Sequence, residues 1–158
     1  MSGDKKVKDL IIDAFEYPHV PYWFTIKQAI MVIKKSAVET EKLAPTVLVF
    51  DEKYNLMGTL TTREILIGLE PALSKPEAIA EGVAGMFGEE SKKRAERPVS
   101  EVMIPVRYFV EPDDPITKAA AYLMIHHDLI LLPVVKEKKL VGVVRMTEIF
   151  NELSSAIL

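Results

Sequence analysis

The chain has 158 residues, 49% of them hydrophobic and 27% charged, which is enough apolar material for one packed body or two small ones and too much for a disordered chain. Against 23 Asp and Glu stand 20 Lys and Arg, a net charge of −3 that excludes a general nucleic-acid binder, and the absence of cysteine removes disulfides, thiol nucleophiles, iron–sulfur clusters and thiolate zinc sites. No apolar run reaches the ~18 residues of a membrane span, and the polar N-terminus lacks the apolar core of a signal peptide, so a cytoplasmic protein without membrane contact is expected.

The first apolar stretch, Tyr22-Trp23-Phe24, reads as a short strand. Thr25 and Gln28 have the spacing of a capping box, and Ile26, Ala29, Ile30 and Ile33 follow at helical intervals, so a helix is predicted there. Val47 to Phe50 and Met57 to Thr61 flank the polar turn Asp51-Glu52-Lys53-Tyr54-Asn55 and predict a hairpin. A second helix starts near Glu64. Over 71–98, read as a linker, Ser74-Lys75-Pro76-Glu77 predicts a further cap, and Ala78 to Phe87 a helix weakened by Gly82 and Gly85. Lys92-Lys93-Arg94, set among Glu89, Glu90 and Glu96, reads as a mixed, solvated helix face.

The pattern then repeats. Val99 to Ile104 matches Val7 to Ile12, Ile116 to Ala119 matches Ile26 to Ala29, Leu132 to Val135 matches Ala44 to Val47, and Gly142 to Phe150 matches Gly58 to Leu66. The separation shrinks from 92 residues to 84, as expected if the first copy has longer loops. In the second copy Tyr108-Phe109-Val110 is the strand, Ile116, Ala119, Ala120 and Leu123 the helix face, Val134-Val135 and Leu140 to Val144 the hairpin, and Glu148 marks the closing helix. Two copies of one β-α-β-β-α unit, 7–70 and 99–153, give an α/β (α+β) fold. One copy leaves a sheet face bare, and the other copy is the natural cover for it.

Gly58-Thr59-Leu60-Thr61-Thr62-Arg63-Glu64 carries a strand into a helix N-terminus, where exposed N–H groups favour an anion. The Thr61 hydroxyl can bond a phosphate and the Glu64 carboxylate a vicinal diol such as ribose. The same two residues also form a capping box that needs no ligand. In the second copy the hydroxyl position is Arg145, a poor cap, yet Glu148 is kept. Arg145 offers either a planar fork to phosphate or an i,i+3 ion pair with Glu148. His126-His127-Asp128 is read as a solvated helix end rather than a metal site, and His19 as structural. No catalytic constellation and no Gly-rich phosphate loop appears, so no enzyme activity is expected.

The repeated unit, the Gly-x-x-Thr-x-x-acid stretch, the entry Leu132-Pro133-Val134 and the opening Val102-Met103-Ile104-Pro105 resemble the CBS domain, and the tandem copies resemble a CBS domain pair, or Bateman module. The resemblance implies two units packed sheet to sheet with pseudo-twofold symmetry and a homodimer. It implies a regulatory role rather than a cofactor enzyme. The ligand would be adenosine-containing (AMP, ADP, ATP, S-adenosylmethionine or NAD), bound in clefts between the units, and its occupancy would pass to a protein partner. It assigns Thr61 and Glu64 to one cleft and Arg145 and Glu148 to the other. Ile104, Leu132 and Pro133 would wall the second cleft, and Ala44 and Pro45 the first. Both acids are Glu where the family usually has Asp. A nucleotide-free interaction module is the competing expectation.

Overall fold

The computed structural model describes residues 5–40, 46–85 and 88–158, leaving aside the side chains of 37–40. The chain divides into two compact units: Tyr17–Pro105, and the N-terminal segment through Glu16 together with Val106–Leu158.

In the 17–105 unit, β1 (His19–Pro21) pairs in parallel with β2 (Val47–Phe50), which pairs antiparallel with β3 (Leu56–Leu60), which pairs antiparallel with β4 (Ile104–Pro105). The first strand thus lies upstream of the expected Tyr22–Phe24. Pro18 and Pro21 set its place, since an edge strand tolerates residues that cannot donate to a ladder. The Phe24 N–H then closes a turn onto the Pro21 carbonyl at 3.1 Å. Helix α1 (Ile26–Thr40) starts where the capping box predicts, with Thr25 N–H donating to Gln28 Oε1 (2.8 Å) and Gln28 N–H to Thr25 Oγ1 (3.1 Å). Ile26, Ala29 and Ile33 pack with Val20, Val47, Val49, Leu60, Ile65 and Val99.

The segment after α2 (Thr62–Leu69) belongs to this unit and is not one linker helix. A 3₁₀ turn (Pro71–Ser74) precedes α3 (Glu77–Glu81) and α4 (Glu89–Arg94). α3 ends at Gly82, whose φ of 71° only glycine adopts without strain. Met86 and Phe87, the end of the expected helix, lie outside the described residues. The expected cap at Ser74 does not form; its hydroxyl donates to the Pro71 carbonyl instead, at 2.8 Å. On α4, Lys92 and Lys93 lie on the exposed face beside Glu89 and Glu90 (both 3.5 Å), whereas Arg94 turns inward and bonds the Leu69 carbonyl at 3.1 Å.

The second unit repeats this plan with shorter pairings. β5 (Leu131–Lys136) and β6 (Lys139–Arg145) form an antiparallel hairpin longer than predicted. Val110 bridges Val134 in parallel, as β1 does β2, and Ile12 bridges Val143 antiparallel, as β4 does β3. Helices α5 (Ile116–Ile125) and α6 (Met146–Ile157) supply Ala119, Leu123 and Ile149 to a core that also holds Val7, Val110, Leu132, Val134 and Val144.

The compact units therefore cut across the repeat copies. The opening of the second copy (Val99 to Pro105) packs on the body of the first, and the opening of the first (Val7 to Ile12) on the body of the second. Ile26 N–H donates to the Arg97 carbonyl and Val99 N–H to the Phe24 carbonyl; correspondingly, Ile116 N–H donates to the Lys5 carbonyl and Val7 N–H to the Asp114 carbonyl. Each opening thus satisfies N-terminal donors of a helix that would otherwise lack partners.

Candidate functional site

β3 delivers the chain to Thr61, which is extended (φ −111°, ψ 175°) and caps α2. Its hydroxyl accepts from Arg63 N–H at 3.2 Å and donates to Glu64 Oε1 at 2.8 Å, while its own N–H donates to the same oxygen at 2.7 Å. The capping box foreseen from the spacing is complete. It uses one carboxylate oxygen of Glu64; Oε2 accepts no hydrogen bond among the described residues. Ile104 lies on the neighbouring strand, paired with Thr59 two residues before Thr61. Gly58 permits that approach, because a Cβ there would stand 2.7 Å from the Ile104 carbonyl oxygen. Thr61 and Glu64 are thus in direct contact, and Ile104 pairs with the strand two residues before Thr61.

The equivalent joint in the second unit is closed differently. Arg145 is extended at the start of α6 and its side chain caps no backbone group. Its guanidinium forks onto Glu148, Nε to Oε1 and Nη2 to Oε2, the latter at 2.7 Å. Both carboxylate oxygens are engaged in a bidentate, charge-assisted pair. The ion-pair alternative for Arg145 is the one realised. Leu131, Leu132 and Pro133 lie opposite Arg145, Val144 and Val143 on the hairpin.

Ile104 does not join Leu132 and Pro133 in this unit. The residue in its place is Ile12, whose N–H and carbonyl both bond Val143 at 2.9 Å. Ile12 was missed as a candidate although the match between Val7–Ile12 and Val99–Ile104 carried the signal. Leu132 is fully buried in the core, so its side chain offers no exposed wall. Ala44 and Pro45 lie outside the described residues. Register also changes their counterparts: Val47 pairs with Leu60 as Leu132 pairs with Val144, so Val47 and Leu48 match Leu132 and Pro133.

Among the remaining candidates, the His126 ring stacks on Tyr108 with centroids 4.1 Å apart, and His19 Nδ1 donates to the Tyr17 carbonyl at 3.1 Å. No cluster of three or more His, Asp or Glu suited to a metal ion occurs among the described residues. No helix among them is long and apolar enough to cross a membrane.

The family model for the CBS domain matches residues 99–155. No curated protein matches the chain. Solved structures similar in fold include a CBS domain-containing protein of unknown function from Bacillus anthracis str. Ames Ancestor (TM-score 0.71, 23% identity, covering 97% of this chain and 95% of that one). CBSX2 in complex with AMP gives a TM-score of 0.63 at 19% identity, covering 97% of this chain and 98% of that one. The cytosolic domain of the Mg2+ channel MgtE in complex with ATP gives 0.62 at 21% identity, covering 94% of this chain; the chain spans only 48% of that one. At these identities the likeness is one of fold. Residues 99–155 match the CBS-domain family, and the chain as a whole has the fold of a tandem CBS-domain module.

Proposed function

We propose that the chain is a regulatory, non-catalytic module that binds an adenosine-containing ligand (AMP, ADP, ATP, S-adenosylmethionine or NAD) and conveys its occupancy to a protein partner, acting as a cytoplasmic homodimer. The observation that carries this reading is the β3–α2 joint. It combines helix N–H groups, a hydroxyl at Thr61, and a Glu64 carboxylate with one oxygen uncommitted. The helix terminus suits a phosphate, and Oε2 suits a ribose hydroxyl. Ile104, half-buried beside Thr59, offers an apolar contact for a base. The CBS proteins crystallised with AMP and ATP share this fold. A ligand at this joint shifts the module's conformation only as far as its affinity differs between two arrangements, which is the condition for signalling.

The Arg145–Glu148 pair favours a second reading for the other joint. A carboxylate with both oxygens on its own arginine holds a helix start together and needs no nucleotide.

Calorimetric titration of the wild type, Glu64→Gln and Glu148→Gln separates these readings. Glutamine still completes a capping box, so Glu64→Gln keeps the helix start while removing the charge. A hydrogen bond to a charged group contributes roughly 1.5–3 kcal/mol, so Glu64→Gln should weaken the best adenosyl ligand about tenfold or more. Glu148→Gln should change it little. Unchanged affinity in both variants would move the site away from both joints.

A further inference from the structure

The 17–105 unit holds a second feature at the opposite end of its sheet. A cavity of about 400 Å3 is lined by His19, Trp23, Phe50, Asp51, Glu52 and Tyr54, among others. β3 separates the 51–55 turn from Thr61 by its five residues, roughly 17 Å of extended chain. This cavity is therefore distinct from the joint described above.

Its lining is unusual in three respects. Phe50 is 2% exposed, whereas Trp23, the only tryptophan of the chain, is 53% exposed and Tyr54 63% exposed. The rings are inclined rather than stacked face to face: His19 meets Phe50 at 89° with centroids 5.8 Å apart, and Phe50 meets Tyr54 at 57° and 6.3 Å. Tyr54 has a φ of 63°, the left-handed position of the hairpin turn in which its N–H donates to the Asp51 carbonyl at 3.0 Å, and the turn thus holds a bulky ring where glycine or asparagine is easier. The turn's side-chain hydrogen bonds come from Asp51, which accepts from the N–H groups of Lys53 and Asn55 (2.8 Å each) and from Asn55 Nδ2 (2.9 Å).

The charge around these rings is net negative, with Asp51 and Glu52 outweighing Lys53 of the same turn. Asp51 is tied into the turn as a carboxylate, and Glu52 makes no ion pair among the described residues. Aromatic faces attract cations, most effectively weakly hydrated ones such as methylated ammonium groups. Two carboxylates strengthen that attraction and repel phosphate. The other unit sets two cations among its acids: its cavity of about 330 Å3 is lined by Arg107 and Lys118 as well as Glu111 and Asp114, beside Tyr108, Phe109 and Tyr122. We propose that the cavity of the 17–105 unit binds a small organic cation of the quaternary-ammonium class, seated against the exposed rings of Trp23 and Tyr54 and drawn in by Asp51 and Glu52. This assignment is independent of the nucleotide reading.

Trp23 makes the test direct, because all tryptophan emission reports on this cavity. The full chain is titrated at constant ionic strength with choline and with its uncharged isostere 3,3-dimethylbutan-1-ol. Choline should change the emission saturably and bind at least roughly fivefold more tightly than the isostere. Tyr54→Gly removes the ring and relaxes the positive φ, so it should melt no lower than the wild type yet bind choline at least about fivefold more weakly. Tyr54→Phe should keep the affinity. An absent saturable response, equal binding of the isostere, undiminished binding by a folded Tyr54→Gly, or a response to AMP but not to choline would each overturn the proposal.

Discussion

Gly58 and Gly142 hold the same position in the two copies, and each is a glycine because another segment of chain passes over it. A Cβ at Gly58 would lie 2.7 Å from the Ile104 carbonyl oxygen, and one at Gly142 2.7 Å from that of Ile12. Backbone oxygens paired into a ladder cannot move aside cheaply. Gly58→Ala should therefore lower unfolding stability in urea by about 1–3 kcal/mol, and a variant as stable as the wild type would show that β4 is not held as described. Asp51 supplies a second test at this scale. The Asn55 side-chain amide, then its backbone N–H, hold the Asp51 carboxyl below the ordinary carboxylate range. A pKa depressed on folding contributes stability that is complete above the unfolded value of 3.8 and is lost as the pH falls below it. Asn55→Ala should raise the Asp51 titration midpoint toward that value in NMR; an unmoved midpoint would remove Asn55 as the cause.

Among the elements, the opening segments explain most about how the units are built. Val7 and Val99 match in the repeat, and both are fully buried, Val7 beside Val110, Leu132 and Ile149, Val99 beside Val20, Ile26 and Leu60. Each completes the core of the unit that holds the other copy's body. Val7→Ala should thus destabilise by roughly 1–3 kcal/mol, as a core truncation does rather than a change in a loose N-terminal arm, and a chemical melt within 0.5 kcal/mol of wild type would contradict that placement. The helices were legible in the residues because caps and 3.6-residue spacing are local: Thr25 with Gln28, and Thr61 with Glu64, mark helix starts that the structure reproduces. The β1 position was less legible, since Tyr22-Trp23-Phe24 has the apolarity of a strand while Pro18 and Pro21 and the cap at Thr25 leave only His19–Pro21 to pair. The start of the second hairpin strand pair was misaligned by three residues between copies, because Pro45 and Pro133 look alike locally and only the ladder reveals that Leu132 answers to Val47.

At the level of the whole chain, the tandem design was readable from four blocks in the same order, and the CBS resemblance they carried agrees with the family match over residues 99–155. Which opening serves which body was not readable, because strand partners are chosen by non-local register that no short motif encodes. The candidate site was readable as residue types and not as bonding: spacing alone allowed Glu148 to face a ligand or Arg145, and the guanidinium fork decides for Arg145. The two joints therefore differ, one with a carboxylate oxygen available and one with both engaged, which makes the module asymmetric in its proposed response. Thermal unfolding of the full chain with AMP, ADP, ATP, S-adenosylmethionine and NAD tests that proposal most directly. At ~100 times Kd, one of the five should raise stability by about 2.7 kcal/mol in the wild type and clearly less in Glu64→Gln, whereas an unchanged melting temperature with all five at millimolar concentration would contradict it.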